Sequence, residues 1–222
     1  MRTLLFDFGG TLDADGVAWK ERFHAYYRDA GVDLTADAFA PVFYAADDPL
    51  VGGLPQDADL ADTVRRLAAN LEAGMPGGPD HARGGAIAAR FLDESDAAFA
   101  RNRPVLGALV ERFRLGIVSN FYGNLSAVCH GANMEAPFGV IVDSERVGAR
   151  KPDPAIFRAA LEPLDAAAET ALMIGDSLHR DREGALRAGM GFVWIAPPSL
   201  QQPPAPDHPV IGSLQELADM LL

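Results

Sequence analysis

The sequence predicts an α/β protein: a Rossmann-like parallel-sheet core interrupted by an all-helical insertion. Three observations predict it. A short apolar run, Thr3 to Phe8, ends at Gly9-Gly10 and reads as a buried strand entering a tight turn. No strand pattern follows between Gly16 and Arg103, where apolar residues recur at helical spacing. After Pro104, strand patterns alternate with short helical ones, the grammar of a parallel sheet. The core is therefore expected in two pieces, residues 1–12 and 102–222, with a helical cap domain at 16–100.

In the insertion, Trp19, Phe23, Tyr26, Tyr27 and Ala30 mark a helix that Gly31 ends. A second helix is expected from Thr35 to Ala45, with Phe39 and Phe43 on one face. Leu60, Val64, Leu67 and Leu71 form one stripe of a third, from Asp59 to Ala73. The Gly- and Pro-rich stretch 74–85 predicts a loop, followed by a helix over 86–100. Beyond it the expected order is helix 104–113, strand 115–119, helix 125–132, strand 138–142, helix 154–161, strand 171–174, helix 180–188 and strand 191–195. Residues 197–209 are proline-rich and read as a loop, and Val210-Ile211 as a short strand. Ser213-Leu214-Gln215-Glu216 is a capping box that opens a final helix.

The 222 residues carry a formal net charge of −12. A chain of this length buries roughly 70% of its unfolded surface and needs no disulfide. Its single cysteine, Cys129, permits none within the chain, which suits a reducing compartment. The acidic field disfavours nucleic acid and anionic membrane surfaces as partners. It leaves a small anionic substrate open, because a metal reverses the local sign. No apolar run reaches the ~18 residues that span a bilayer. Asp7 ends the apolar start too early for a signal peptide, so a cytoplasmic location is expected. Arginine occurs 17 times and lysine twice, at Lys20 and Lys151. Against such a bias a lysine marks a place where a compact ammonium serves and a planar fork does not.

In parallel sheets ligands bind at the carboxyl ends of the strands. The expected strand ends carry Asp7-Phe8-Gly9-Gly10-Thr11-Leu12, then Ser119-Asn120, then Gly175-Asp176-Ser177 with Asp181 five residues past Asp176. Lys151 precedes Pro152-Asp153-Pro154 at a helix start. Each piece alone is an ordinary cap or turn. All four in this order are far more specific. Asp7 can attack phosphorus or carbon and form a covalent aspartyl intermediate. Ser119 and backbone amides can donate to a phosphoryl group, while Lys151 neutralises the nucleophile and the transferred charge. Gly10 and Asn120 join Ser119 and Lys151 as expected substrate-binding residues. Asp7 and Asp176, with a backbone carbonyl, make a hard oxygen site suited to Mg²⁺. Asp181 is expected nearby in support, beside the metal waters or Lys151.

These residues resemble the haloacid dehalogenase superfamily, mostly Mg²⁺-dependent phosphatases, over essentially the whole chain. Phe6-Asp7-Phe8-Gly9-Gly10-Thr11-Leu12 looks like its first motif and Ile117-Val118-Ser119-Asn120 like its second. Lys151-Pro152-Asp153-Pro154-Ala155-Ile156-Phe157 looks like its third, and Ile174-Gly175-Asp176-Ser177 with Asp181 like its fourth. The insertion resembles the cap of members acting on small molecules. The resemblance implies Asp7 as nucleophile, assisted by Thr11, Ser119 and Lys151. It implies a metal held by Asp7, the Gly9 carbonyl and Asp176, and a small phosphorylated metabolite as substrate.

One position departs. Phosphatases of the family carry a second aspartate two residues after the nucleophile, where it protonates the leaving oxygen and then activates water. Here that position is Gly9. A positioned acid–base contributes ~10²–10⁴-fold to rate. Restoring an aspartate there is expected to raise turnover. Three readings stay open. One is a phosphatase with altered acid–base support, favouring good leaving groups such as acyl phosphates, with Asp13, Asp15 or His24 as substitutes for the acid. The second is a related non-phosphatase. Phosphonate hydrolysis would draw on Lys20 as a Schiff base, whereas the Gly175-Asp176 pair argues against dehalogenation. The third is a binding or regulatory protein of low turnover.

Overall fold

A computed structural model describes residues 2–199 and 208–222. Six strands form one sheet in the order β3-β2-β1-β4-β5-β6, with every pair parallel. The strands are β1 (Thr3–Phe6), β2 (Arg114–Ser119), β3 (Val140–Asp143), β4 (Ala171–Gly175), β5 (Gly191–Ile195) and β6 (Val210–Ile211). β1 is buried on both faces, as its unbroken apolar run demands. Alternation sends Leu4 and Phe6 into one packed layer, with Ile117, Ile174 and Val193. Leu5, Val118 and Met173 enter the opposite layer, against Ile156, Phe157 and Leu161 of the helix Pro154–Leu161.

Strand order reverses between β1 and β4, the switch point where a doubly wound sheet opens a crevice. Register brings the chemistry there. Phe6 pairs with Ile117 on one side and Ile174 on the other. Asp7 comes one residue beyond those pairs, and Ser119 and Asp176 two. The Asp7 amide continues the ladder, donating to the Ile174 carbonyl at 2.9 Å.

The helices are α1 (Trp19–Asp29), α2 (Ala36–Asp47), α3 (Leu60–Gly74), α4 (His81–Val110), α5 (Leu125–Gly131), α6 (Ser144–Val147), α7 (Pro154–Leu161), α8 (Glu183–Arg187) and α9 (Leu214–Leu221). The N-cap of α9 forms, Ser213 Oγ accepting from the Glu216 amide at 3.3 Å, while the Glu216 carboxylate reaches one residue further back, to the Gly212 amide at 2.9 Å. Among the described residues no helix is long and apolar enough to cross a membrane.

The expected pair of helices at 86–100 and 104–113 is one 30-residue helix, α4. It begins at His81, inside the expected loop 74–85, where the Asp80 carboxylate caps the Ala82 and Arg83 amides at 3.0 Å. Pro104 lies within it and deprives the Ala100 carbonyl of its donor, a cost of about 3 kcal/mol. Packing overrides that cost, because Phe99, Asn102, Val105, Leu106 and Leu109 are all buried around the break. Asn102 Nδ2 also donates to the Leu12 carbonyl at 2.9 Å. The boundary expected at 100–102 therefore falls inside a continuous helix. The strand expected over 138–142 runs Val140–Asp143, and the one begun at Thr3 ends at Phe6. The helix expected over 180–188 is a π turn, Leu178–Arg182, followed by α8. Part of the proline-rich stretch 197–209 lies outside the described residues.

Candidate active site

Asp7 is the hub. Its Oδ1 accepts from the Phe8 amide and the Ser119 hydroxyl, each at 2.7 Å. The Lys151 ammonium lies 2.7 Å from the same oxygen. Among the described residues nothing donates to Oδ2, so one oxygen is oriented by three donors and the other is left for chemistry. Lys151, only 4% exposed, sits 2.6 Å from Asp181 Oδ1 on its other side. Asp181 Oδ2 accepts from the Ser177 amide at 3.0 Å, so both its oxygens are engaged. Burial acts to lower the Lys151 pKa, and the Asp181 and Asp7 carboxylates together outweigh it and hold it above the ordinary value.

Carboxylate oxygens of Asp7, Asp176 and Asp181 lie within 4.8 Å of one another. Three carboxylates against one ammonium leave an excess of negative charge in a buried place. Burial, then the charges of Asp7 and Asp181, push the Asp176 carboxyl well above its usual range. Burial, partly offset by Lys151, raises Asp181 to about 6. Such a cluster could hold a cation. Asp176 Oδ1 accepts a long 3.4 Å contact from Thr11 Oγ1. The Gly9 carbonyl accepts no hydrogen bond among the described residues. Carboxylate oxygens of this kind are hard donors that could take Mg²⁺. Asp181 pairs with Lys151.

Two expected substrate contacts are otherwise employed. The Gly10 amide donates to Asp13 Oδ1 at 2.6 Å and is not free for a phosphoryl group. Asn120 grips the Lys151 backbone from both ends, Nδ2 to its carbonyl at 3.0 Å and Oδ1 from its amide at 2.7 Å. It positions Lys151 and has little left for substrate. Gly10 itself is required by shape. Its φ is +86°, and a Cβ would stand 2.6 Å from Asp176 Oδ2. Gly10→Ala is expected to lower the unfolding free energy by about 1–2 kcal/mol from the left-handed backbone alone. Urea unfolding measures this, and an unchanged midpoint would contradict the close approach.

The substitutes considered for an acid lie elsewhere. Asp15 is paired with Arg101 at 2.9 Å on the surface. His24 Nε2 bonds the Leu34 carbonyl at 2.7 Å and its ring packs on Phe39. Lys20 pairs with Glu21 at 3.4 Å and hovers over the Tyr44 ring, outside the acidic cluster. Asp13 is 1% exposed and saturated. Besides the Gly10 amide it accepts from Trp19 Nε1 at 2.7 Å and pairs with Arg22 at 3.0 Å. Burial raises its pKa, and Arg22 works against that. Arg22 in turn donates to the Phe91 carbonyl at 2.9 Å and Ser95 Oγ at 3.1 Å on α4.

This Asp13–Trp19–Arg22 group ties the nucleophile loop to α1 and α4, and the sequence reading missed it. The available signal was Trp19 and Arg22 three residues apart on one helix face. Tyr122 likewise donates to Asp47 on α2 at 2.5 Å. At the end of β3, Asp143 accepts from the Gly123, Leu125 and Glu145 amides and fixes the loop after β2.

Fold and site define a doubly wound α/β protein with an acid–lysine cluster at its switch point. The chain belongs to the haloacid dehalogenase-like hydrolase family, whose match covers residues 1–189. It is 33% identical over 172 residues to a phosphoglycolate phosphatase of Rhodospirillum rubrum, covering 73% of this chain and 69% of that one. It is 35% identical over 94 residues, 42% of this chain, to haloacid dehalogenase-like hydrolase domain-containing protein 3 of Bos taurus. That match spans 38% of the bovine protein's length. Among solved structures, the HAD-hydrolase YfnB of Bacillus subtilis, bound to magnesium, superposes with a TM-score of 0.58 at 26% identity. Coverage there is 99% of this chain and 98% of that one.

Proposed function

We propose that the chain is a Mg²⁺-dependent phosphoryl-transfer hydrolase of a small organophosphate. The observation that carries this reading is Asp7, with one oxygen held by Ser119, Lys151 and the Phe8 amide and the other unengaged. Asp7 attacks phosphorus, the bond to the leaving oxygen breaks, and an aspartyl phosphate forms. Water then attacks that phosphorus, the bond to Asp7 breaks, and inorganic phosphate departs. Ser119 and Lys151 keep the nucleophile aligned and compensate charge through both steps. Mg²⁺, when bound by Asp7, Asp176 and the Gly9 carbonyl, would supply further stabilisation of the negative charge on the transferring group. Phosphatases among the relatives, the Rhodospirillum enzyme included, support the substrate class. We assign residues 16–100 the part of a cap over the strand ends, tied down through Asp13–Arg22 and Asp47–Tyr122.

Mg²⁺ dependence of phosphate release, with a chelator as control, tests this reading, and thermal unfolding tests the site directly. Native Asp181 and Asp176 bind protons at pH values where the unfolded chain, with carboxyls near 3.8, has lost them. Metal-free stability from Asp181 therefore falls as pH rises from about 4 through about 6, and Asp176 acts in the same direction. Asp181 and Asp176 would give up those protons on binding Mg²⁺. At a concentration near 100 times Kd it stabilises by about 2.7 kcal/mol. That is a Tm rise of roughly 5–10 °C for a chain of this size. The rise is expected near pH 7.5 and is expected to shrink markedly near pH 5. A shift absent at pH 7.5, or equal at both, contradicts the site.

A further inference from the structure

Position 9 has no side chain, and a Cβ placed there would crowd Trp19. A Cβ on Gly9 would lie 3.1 Å from Trp19 Nε1 and 3.4 Å from Trp19 Cδ1. Trp19 cannot readily give way. Its nitrogen is bound to Asp13, and its ring packs edge-on against Phe91 at 4.9 Å and Phe121 at 5.9 Å. Asp13 is held in turn by Arg22 and the Gly10 amide. Gly9 and Trp19 are thus a matched pair. The ionisable groups gathered at the nucleophile are Asp7, Asp176, Asp181 and Lys151, with Asp13 next to them on the Gly10 amide. Asp7 and Asp176 face the cation site, while Asp181 and Lys151 are locked together. Asp13 is occupied by the Gly10 amide, Trp19 and Arg22.

We infer that Trp19 occupies the volume of an acid–base side chain, and that the site therefore serves phosphoryl donors whose leaving group departs unprotonated, acyl phosphates above all. The inference rests on the phosphoryl-transfer reading. In the first step an Asp7 oxygen bonds to phosphorus while the phosphorus–oxygen bond to the acyl group breaks. The electron pair leaves on a carboxylate, whose pKa near 4 requires no proton at neutral pH. An alkoxide, a far stronger base, would require one. In the second step water attacks the aspartyl phosphate, itself an acyl phosphate. The pair in the broken bond returns to the Asp7 carboxylate, and the proton of water passes to phosphate and solvent. Both leaving groups are carboxylates, so neither step calls for the missing acid.

The experiment measures kcat/KM with Mg²⁺ for acetyl phosphate, a series of aryl phosphates of graded leaving-group pKa, and glycerol phosphate. The expected result is a steep fall with leaving-group pKa, acetyl phosphate exceeding glycerol phosphate by ~10²-fold or more. A flat series overturns the inference while leaving phosphoryl transfer standing. No transfer from any donor overturns the phosphoryl reading and the inference with it. Two variants locate the cause. In Gly9→Asp combined with Trp19→Leu the acyl-to-alkyl ratio is expected to shrink at least tenfold, and in Gly9→Asp alone to stay near the parent value. Equal flattening in both would show that Trp19 does not hold the space. A ratio that grows in Asp47→Asn would make Asp47 the proton donor and overturn the inference.

Discussion

Asp7→Asn is expected to fold as the parent does and to form no covalent phosphoenzyme. The amide oxygen of asparagine still accepts from Ser119, the Phe8 amide and Lys151, the three partners of Asp7 Oδ1. The neighbours therefore keep their places while the nucleophile is lost. Turnover should drop by roughly 10³-fold or more, about 4 kcal/mol of barrier. Acid quench with a labelled phosphoryl donor reads the intermediate, and phosphate release reads the rate. Turnover retained within a few fold would remove Asp7 as nucleophile. It would favour a different reaction at the same fold.

Lys151→Met carries the second large effect, and on stability as well as rate. The ammonium lies between Asp7 and Asp181, 2.7 Å from one and 2.6 Å from the other. Removing it strands two buried carboxylates beside Asp176. Breaking such a pairing from one side costs about 3–5 kcal/mol. In the presence of a chelator, the deficit should be largest near pH 8 and shrink toward pH 5. The stranded carboxylates bind protons more tightly in the folded variant than in the unfolded chain, so acid restores what the ammonium supplied. Denaturant unfolding at the two pH values measures this. A deficit below about 1 kcal/mol at pH 8 would mean that the cluster is not desolvated as described. Lys151→Arg is not a rescue, because a planar fork does not fit between two facing carboxylates at this spacing.

What was legible in the sequence follows from what is local. Asp7, Ser119 and Asp176 stand directly after apolar strand runs, so strand pattern and parallel order together bring them to one crevice. Lys151 stood out because arginine is the prevailing cation of this chain. Gly10 and Asn120 suit a phosphoryl contact and a structural bond equally well. Which partner they take depends on how the loops after β1 and β2 close, and here those partners are Asp13 and the Lys151 backbone. The Asp13–Trp19–Arg22 group was illegible for the same reason. Trp19 reads as one more buried aromatic until Gly9 is seen to face it. Pro104 was read as a boundary because local propensity is all that a single sequence offers. The surrounding apolar residues decided otherwise.

The continuity of α4 has a mechanical consequence. At 1.5 Å per residue this rod is about 45 Å long. Its first part packs with α3 among the helices of the insertion, and its last part lies against β2 and α9. Two bodies that share a beam do not swing freely on slack tethers. Any gaping of the crevice must flex the beam itself, and it is softest at Pro104, where one rung of its ladder is missing.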